Sequence, residues 1–73
     1  MSYGVILCPS THHTIRAEKK VKENGFSVKL IPVPRHLSSD CGICLRISWE
    51  QRETIESLLK KEGVKMEGVH PLE

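Results

Sequence analysis

The residues that begin and end the helices recur at an interval of 38 positions, and this recurrence constrains the fold more than any other feature. Shifting the chain by 38 positions places Ser10 on Ser48 and Gly25 on Gly63. Serine is a favoured residue at a helix start, and glycine readily adopts the left-handed conformation that ends a helix. The two halves are therefore expected to share one order of strands and helices.

Apolar runs flank the helical pattern in each half. In the first half they predict a strand over residues 3–8, a helix over 14–24 capped by Ser10 or Thr11, and a strand over 26–30. In the second half, alternation predicts a strand over 43–48, and Ser48 with Gln51 forms a capping box for a helix through Lys61. A fourth strand is expected over residues 64–69.

The resulting order is strand, helix, strand, repeated once. It predicts an α+β fold, a ferredoxin-like βαββαβ sandwich with a four-stranded antiparallel sheet and two helices on one face. Residues 1–73 are expected to form one such domain.

Composition argues against several functions. Eleven basic and nine acidic residues nearly balance, and one Trp, one Tyr and one Phe offer no stacking platform, so we expect no nucleic-acid partner. No apolar run approaches the ~20 residues of a membrane span, and we expect no membrane association. Three cysteines without a signal-peptide pattern indicate reduced thiols in the cytoplasm.

The central segment, residues 32–42, holds the residues best suited to chemistry. Pro32 and Pro34 prevent a strand from continuing, and a cation, hydroxyls, a thiol and a glycine follow: Arg35, His36, Ser38, Ser39, Cys41 and Gly42. The ferredoxin-like topology places this segment at the sheet edge where the first helix starts, with Cys8, Thr11, His12 and His13. A helix N-terminus and nearby cations favour a thiolate. Thr11, His12, Arg35, Ser38 and Ser39 are thus predicted to stabilise a reactive Cys41, and Gly42 to allow close approach.

Three other interpretations use the same residues. Cys41 and Cys44 form a C-x-x-C, but residues three apart in a strand lie ~10 Å apart, beyond the ~7 Å limit for a disulfide; Cys8 with Cys41 is geometrically the better pair. A set of soft ligands, Cys8, His12, His13, His36 and Cys41, could hold zinc. A binding or regulatory module could instead dimerise or bind a partner through an open sheet face of Ile6, Cys8, Ile31, Cys44 and Val69.

Several blocks of sequence resemble one family: residues 10–13, 17–19, 28–35, 37–42 and 45–46, with the proline-arginine to serine-serine-x-cysteine-glycine block the most specific. The chain resembles the small bacterial domains described as putative Se/S carrier protein-like. The resemblance implies a cytoplasmic carrier of sulfur or selenium, without a cofactor, that uses the cysteine matching Cys41. Cys41 would accept the atom from a donor such as a cysteine desulfurase and pass it to an acceptor protein, as a carrier rather than a turnover enzyme. Cys8 and Cys44 do not match functional positions of the family.

Overall fold

The computed structural model describes residues 2–37 and 42–72. The elements follow the predicted order: β1 (Tyr3–Leu7), α1 (Thr11–Glu23), β2 (Lys29–Pro32), β3 (Ile43–Ser48), a 3₁₀ turn (Trp49–Gln51), α2 (Arg52–Lys61) and β4 (Gly68–Leu72). The strands pair antiparallel in the order β2-β3-β1-β4. This is the strand order of the ferredoxin-like sandwich, so the predicted fold class is confirmed.

The interval of 38 positions is visible in the hydrogen bonds that end the helices. Gly25 and Gly63 have positive φ angles of 88° and 74°. After α1, the Phe26 N–H donates to the Val21 carbonyl and the Gly25 N–H to that of Lys22; after α2, Val64 and Gly63 donate to Leu59 and Lys60 in the same way. Each pair of bonds is a Schellman motif. The glycines therefore end both helices as predicted.

The start of each helix differs from the prediction. α1 begins at Thr11, three residues early, because the Ser10 side chain caps it by accepting from the His13 N–H. The capping box of Ser48 and Gln51 is wrong, since the Ser48 side chain makes no capping bond. Instead the backbone N–H of Trp49 donates to the Ser2 carbonyl, which continues the pairing of β1 with β3 by one bond, and a 3₁₀ turn precedes α2.

The second strand of each half begins later than predicted. Phe26 and Val28 before β2, and Val64 and Met66 before β4, pack against the core outside the strands. These apolar residues produce the alternating pattern in the sequence. The backbone, however, forms strand pairs only from Lys29 in β2 and from Gly68 in β4 onwards. Pro71 lies inside β4, which is tolerated because β4 is an edge strand.

Apolar residues are buried on both faces of the sheet. The main core lies between the sheet and the helices and contains Ile6, Cys8, Ala17, Val21, Leu45, Ile47, Ile55, Leu59 and Val64. The second cluster, on the other face, consists of Val5, Leu7 and Cys44, with Ile31, Val33, Leu37 and Leu72 packed against it. Placing Ile6, Cys8 and Val69 on the open face was therefore wrong. Because residues 5–8 are all apolar, no alternation in the sequence shows which of them face the helices.

Candidate functional site

One end of the sheet brings together the end of β1, the start of α1 and the two ends of the central segment. The Val33 N–H donates to the Gly42 carbonyl at 3.2 Å, which closes the base of the segment between β2 and β3. Gly42 is exposed and has a φ of 81°, and apart from its chain neighbours no atom of the described residues lies within 4 Å of a Cβ built on it. Ser38, Ser39, Asp40 and Cys41 lie outside the described residues, so their predicted roles stay predictions.

The described part of the central segment leans onto the face of the sheet that lacks helices. Val33 and Leu37 pack against the second cluster, and the Leu37 N–H donates to the Pro34 carbonyl at 3.0 Å, which closes a turn. Arg35 and His36 lie in this turn with exposed side chains. Arg35 makes no ion pair with any residue in the described part of the chain. The turn therefore presents its cation to solvent.

The start of α1 lies in the layer on the opposite face. Ser10 Oγ accepts from the His13 backbone N–H and lies 2.6 Å from His13 Nδ1, while Thr14 Oγ1 donates to the Ser10 carbonyl. Because the Ser10 oxygen already accepts from the backbone, its hydroxyl can donate to Nδ1 of a histidine that carries its proton on Nε2. Thr11 and His12 are exposed beside this cap.

The described members of the predicted stabilising set, Thr11, His12 and Arg35, thus share one end of the sheet but belong to different layers. Thr11 and His12 begin the helical layer, whereas Leu37, two residues after Arg35, packs on the other face. The start of α1 and the turn that contains Arg35 therefore lie on opposite faces of the sheet, near the start of β3. Their convergence on the Cys41 thiol stays a prediction.

The two described cysteines are both buried. Cys8 is 0% exposed in the main core, and Cys44 is 0% exposed in the second cluster, on the opposite face of the sheet. The Cys44 thiol donates to the Pro32 carbonyl, with Sγ 3.9 Å from the oxygen. Cys44 is thus an apolar residue with a weak donor, as its position in a strand predicts. A pair between Cys8 and Cys41, or between Cys44 and Cys41, involves a residue outside the described part.

Four of the five predicted zinc ligands lie in the described part of the chain: Cys8, His12, His13 and His36. In residues 2–37 and 42–72, no three His, Cys, Asp or Glu side chains are arranged to hold a metal ion. Cys41, which belongs to the predicted set, is not among those residues.

Sequence reasoning missed the role of Val33 and Leu37. Both lie in a segment that the sequence predicts to be a polar loop, yet they cover the second cluster and fix the first half of the segment to the sheet. The signal was present, since two apolar side chains in so polar a stretch are unusual for a solvated loop.

Fold and site together define a class, a small ferredoxin-like α+β domain with a cysteine-containing segment at one edge of its sheet. The family model described as Putative Se/S carrier protein-like matches residues 3–71, and the chain belongs to this family. Neither the curated proteins nor the solved structures contain a match to the chain. In the described part of the chain, neither helix has the length and apolar character needed to cross a bilayer.

Proposed function

We propose that the protein is a sulfur or selenium carrier that holds the transferred atom on Cys41. The Cys41 thiolate attacks the terminal sulfur of a donor persulfide; the new S–S bond forms as the donor S–S bond breaks, and the donor leaves as a thiolate. Transfer to an acceptor thiolate repeats the exchange in reverse. The exchange needs no oxidant and no cofactor, and a selenium atom would be transferred by the same steps.

The observation that carries this proposal is the burial of the other two thiols. Cys8 and Cys44 are 0% exposed, on opposite faces of the sheet. A thiol in apolar surroundings is disfavoured as a thiolate and is out of reach of a second protein. Cys41 is the remaining cysteine of the three in the sequence. The family supports the same chemistry through its name.

The surroundings of the central segment support the proposed transfer. Gly42, next to Cys41 in the chain, is exposed, and within the described residues other than its chain neighbours nothing fills the space of a side chain there; this supports close approach by a donor. We assign Arg35, Ser38, Ser39 and the Thr11-His12 start of α1 to stabilising the thiolate and the perthiolate. A cation, hydroxyl donors and the partial positive charge of a helix start all favour a sulfur anion.

A loading experiment tests the proposal directly. The untagged protein is incubated with a cysteine desulfurase and L-cysteine, and its intact mass is read under non-reducing conditions. We expect the parent to gain one sulfur atom and Cys41→Ser to gain none. Cys44→Ala is the matched control, because it removes a thiol while keeping Cys41, and it should load like the parent.

The result that contradicts the proposal is equal loading of Cys41→Ser and the parent. Circular dichroism of each variant shows that the fold is intact, so a failure to load is not a failure to fold. Repeating the assay with L-selenocysteine distinguishes selenium from sulfur by mass. A parent protein that loads neither atom also contradicts the proposal.

The proposal implies two protein partners, a donor with a persulfide and an acceptor. It also implies a reducing compartment, and we propose the cytoplasm, where free thiols persist.

A further inference from the structure

A cavity of about 370 Å³ lies at the far end of β3 from Gly42. Its polar wall is formed by the end of β3, the start of β1, the chain after α1 and the turn before α2: Ser2, Tyr3, Ser27, Arg46, Ser48 and Gln51. The volume is within the range of small-molecule sites. None of these residues belongs to the proposed carrier site.

Arg46 is the one cation among the residues that line the cavity. Its guanidinium carbon lies 4.4 Å from the centre of the Tyr3 ring, which holds the plane of the group against the aromatic face. Stacking occupies the face of a guanidinium and leaves its N–H edges available for a planar or forked anion. Arg46 makes no ion pair within residues 2–37 and 42–72. Its donors are therefore fixed in place but not neutralised.

The strands around Arg46 contain a second cation and no carboxylate. Lys29 is the Cα partner of Arg46 in β2, and His70 follows in the same row of the sheet, beyond Val5. None of the four described strands contains an acidic residue. Lys29 and Arg46, paired across two strands, favour an anion. The acidic residue next to the cavity in sequence is Glu50, in the turn between Ser48 and Gln51.

The remaining polar groups are neutral donors suited to several oxygens. The hydroxyl of Ser48 makes no helix-capping bond, although Ser48 stands at the start of the 3₁₀ turn. Ser2 and Ser27 add two more hydroxyls, and Gln51 adds an amide. A forked cation surrounded by several donors matches three terminal oxygens better than the two of a carboxylate.

We propose that this cavity binds a small phosphate monoester. Arg46 pairs with two phosphate oxygens, the hydroxyls of Ser27 and Ser48 donate to the ester group, and Lys29 adds long-range attraction. The organic part of the ligand lies toward Tyr3, an exposed aromatic residue that also lines the cavity. This site does not include Cys41, and its proposal does not depend on the carrier function.

Titration of the untagged, ¹⁵N-labelled protein with phenyl phosphate at constant ionic strength tests the site. We expect saturable shifts of the amide signals of Tyr3, Ser27, Arg46 and Ser48. Arg46→Gln should raise the dissociation constant at least about tenfold, because it removes the charge and the paired donors. The matched control is Arg16→Gln, a change of the same type on the exposed side of α1, which should change affinity less than about twofold.

Benzoate is titrated in parallel, because it carries the same ring on a carboxylate. Binding of benzoate as tight as that of phenyl phosphate would overturn the assignment to phosphate. Shifts that rise linearly without saturation, or an unchanged affinity in Arg46→Gln, would overturn the site itself. Signals outside the cavity report whether each variant keeps the fold. Sulfur loading of Cys41 is measured separately, so a negative result here leaves the carrier test unaffected.

Discussion

Replacing Gly4 by alanine should destabilise the domain more than any other single added methyl group at a described glycine. Gly4 lies in the central strand β1, and the Trp49 ring packs directly over it. A Cβ built on Gly4 would overlap Trp49 Cε3, lie 2.8 Å from Cζ3 and lie 3.0 Å from the His70 carbonyl oxygen. Two of these neighbours belong to a rigid ring and the third to backbone.

The cost follows from how firmly Trp49 is held. Its N–H donates to the Ser2 carbonyl at 3.0 Å, and the Arg52 guanidinium stacks 4.4 Å above its ring. The first bond is made by the backbone and fixes the position of the residue, and the ring cannot rotate away without losing the stacking with Arg52. Overpacking of this kind costs about 1–3 kcal/mol of unfolding free energy. Taking ~2 kcal/mol, the melting temperature should fall by about 8–16 °C in a domain of this size.

Thermal unfolding followed by circular dichroism measures this loss. The matched control is Gly68→Ala in β4, where the added Cβ would meet His70 Nε2 at 2.8 Å. That atom ends a side chain that can rotate away, so we expect a loss below about 1 kcal/mol. An equal loss in both variants would refute the reasoning.

A double-mutant cycle with Trp49 tests the same point independently. In a Trp49→Ala background the ring is gone, so adding the methyl group at Gly4 should cost less than about 1 kcal/mol. If the cost of Gly4→Ala is the same with and without the ring, the overlap with Trp49 is not its cause.

Further predictions concern the cap, the thiols and the glycine at the segment's base. Ser10→Ala should lower stability by about 1 kcal/mol in urea unfolding, because it removes the cap of α1; no change would contradict the cap. In the native protein, iodoacetamide should modify Cys41 while Cys8 and Cys44 react only after unfolding, as read by peptide mass spectrometry. Gly42→Ala should cost about 1 kcal/mol from its positive φ alone, and an unchanged melting temperature would argue against that conformation.

The fold was predictable because its signals are local and occur twice. Ser10, Gly25 and Gly63 mark helix ends through bonds that span a few residues, and such bonds depend little on the rest of the chain. The strand boundaries were less predictable. Phe26 and Val64 pack against the core from outside the strands, and the alternation of apolar residues in the sequence is the same as that of a paired strand.

The site was predictable only as far as residue types go. The sequence singles out Cys41 by its polar surroundings, but the burial of Cys8 and Cys44 depends on which face each strand position takes. In β1 the register of pairing, with Ile6 opposite Leu45, determines which residues face the helices. An unbroken apolar run in the sequence does not indicate this register. Long-range pairing, rather than local preference, therefore decides which thiols are shielded.

Burial on both faces of the sheet links the central segment to the stability of the fold. In a sheet covered by helices on one face, Val5, Leu7 and Cys44 would meet water on the other, yet they are at most 4% exposed. Val33 and Leu37, from the first half of the central segment, help to cover them. The chain leading to Cys41 is therefore anchored by apolar contacts and by the bond between Val33 and Gly42, and loosening either anchor would expose part of a core. The proposed carrier function would then depend on the same contacts that cover the second cluster, so Leu37→Ala should lower both the stability of the domain and the rate of sulfur loading.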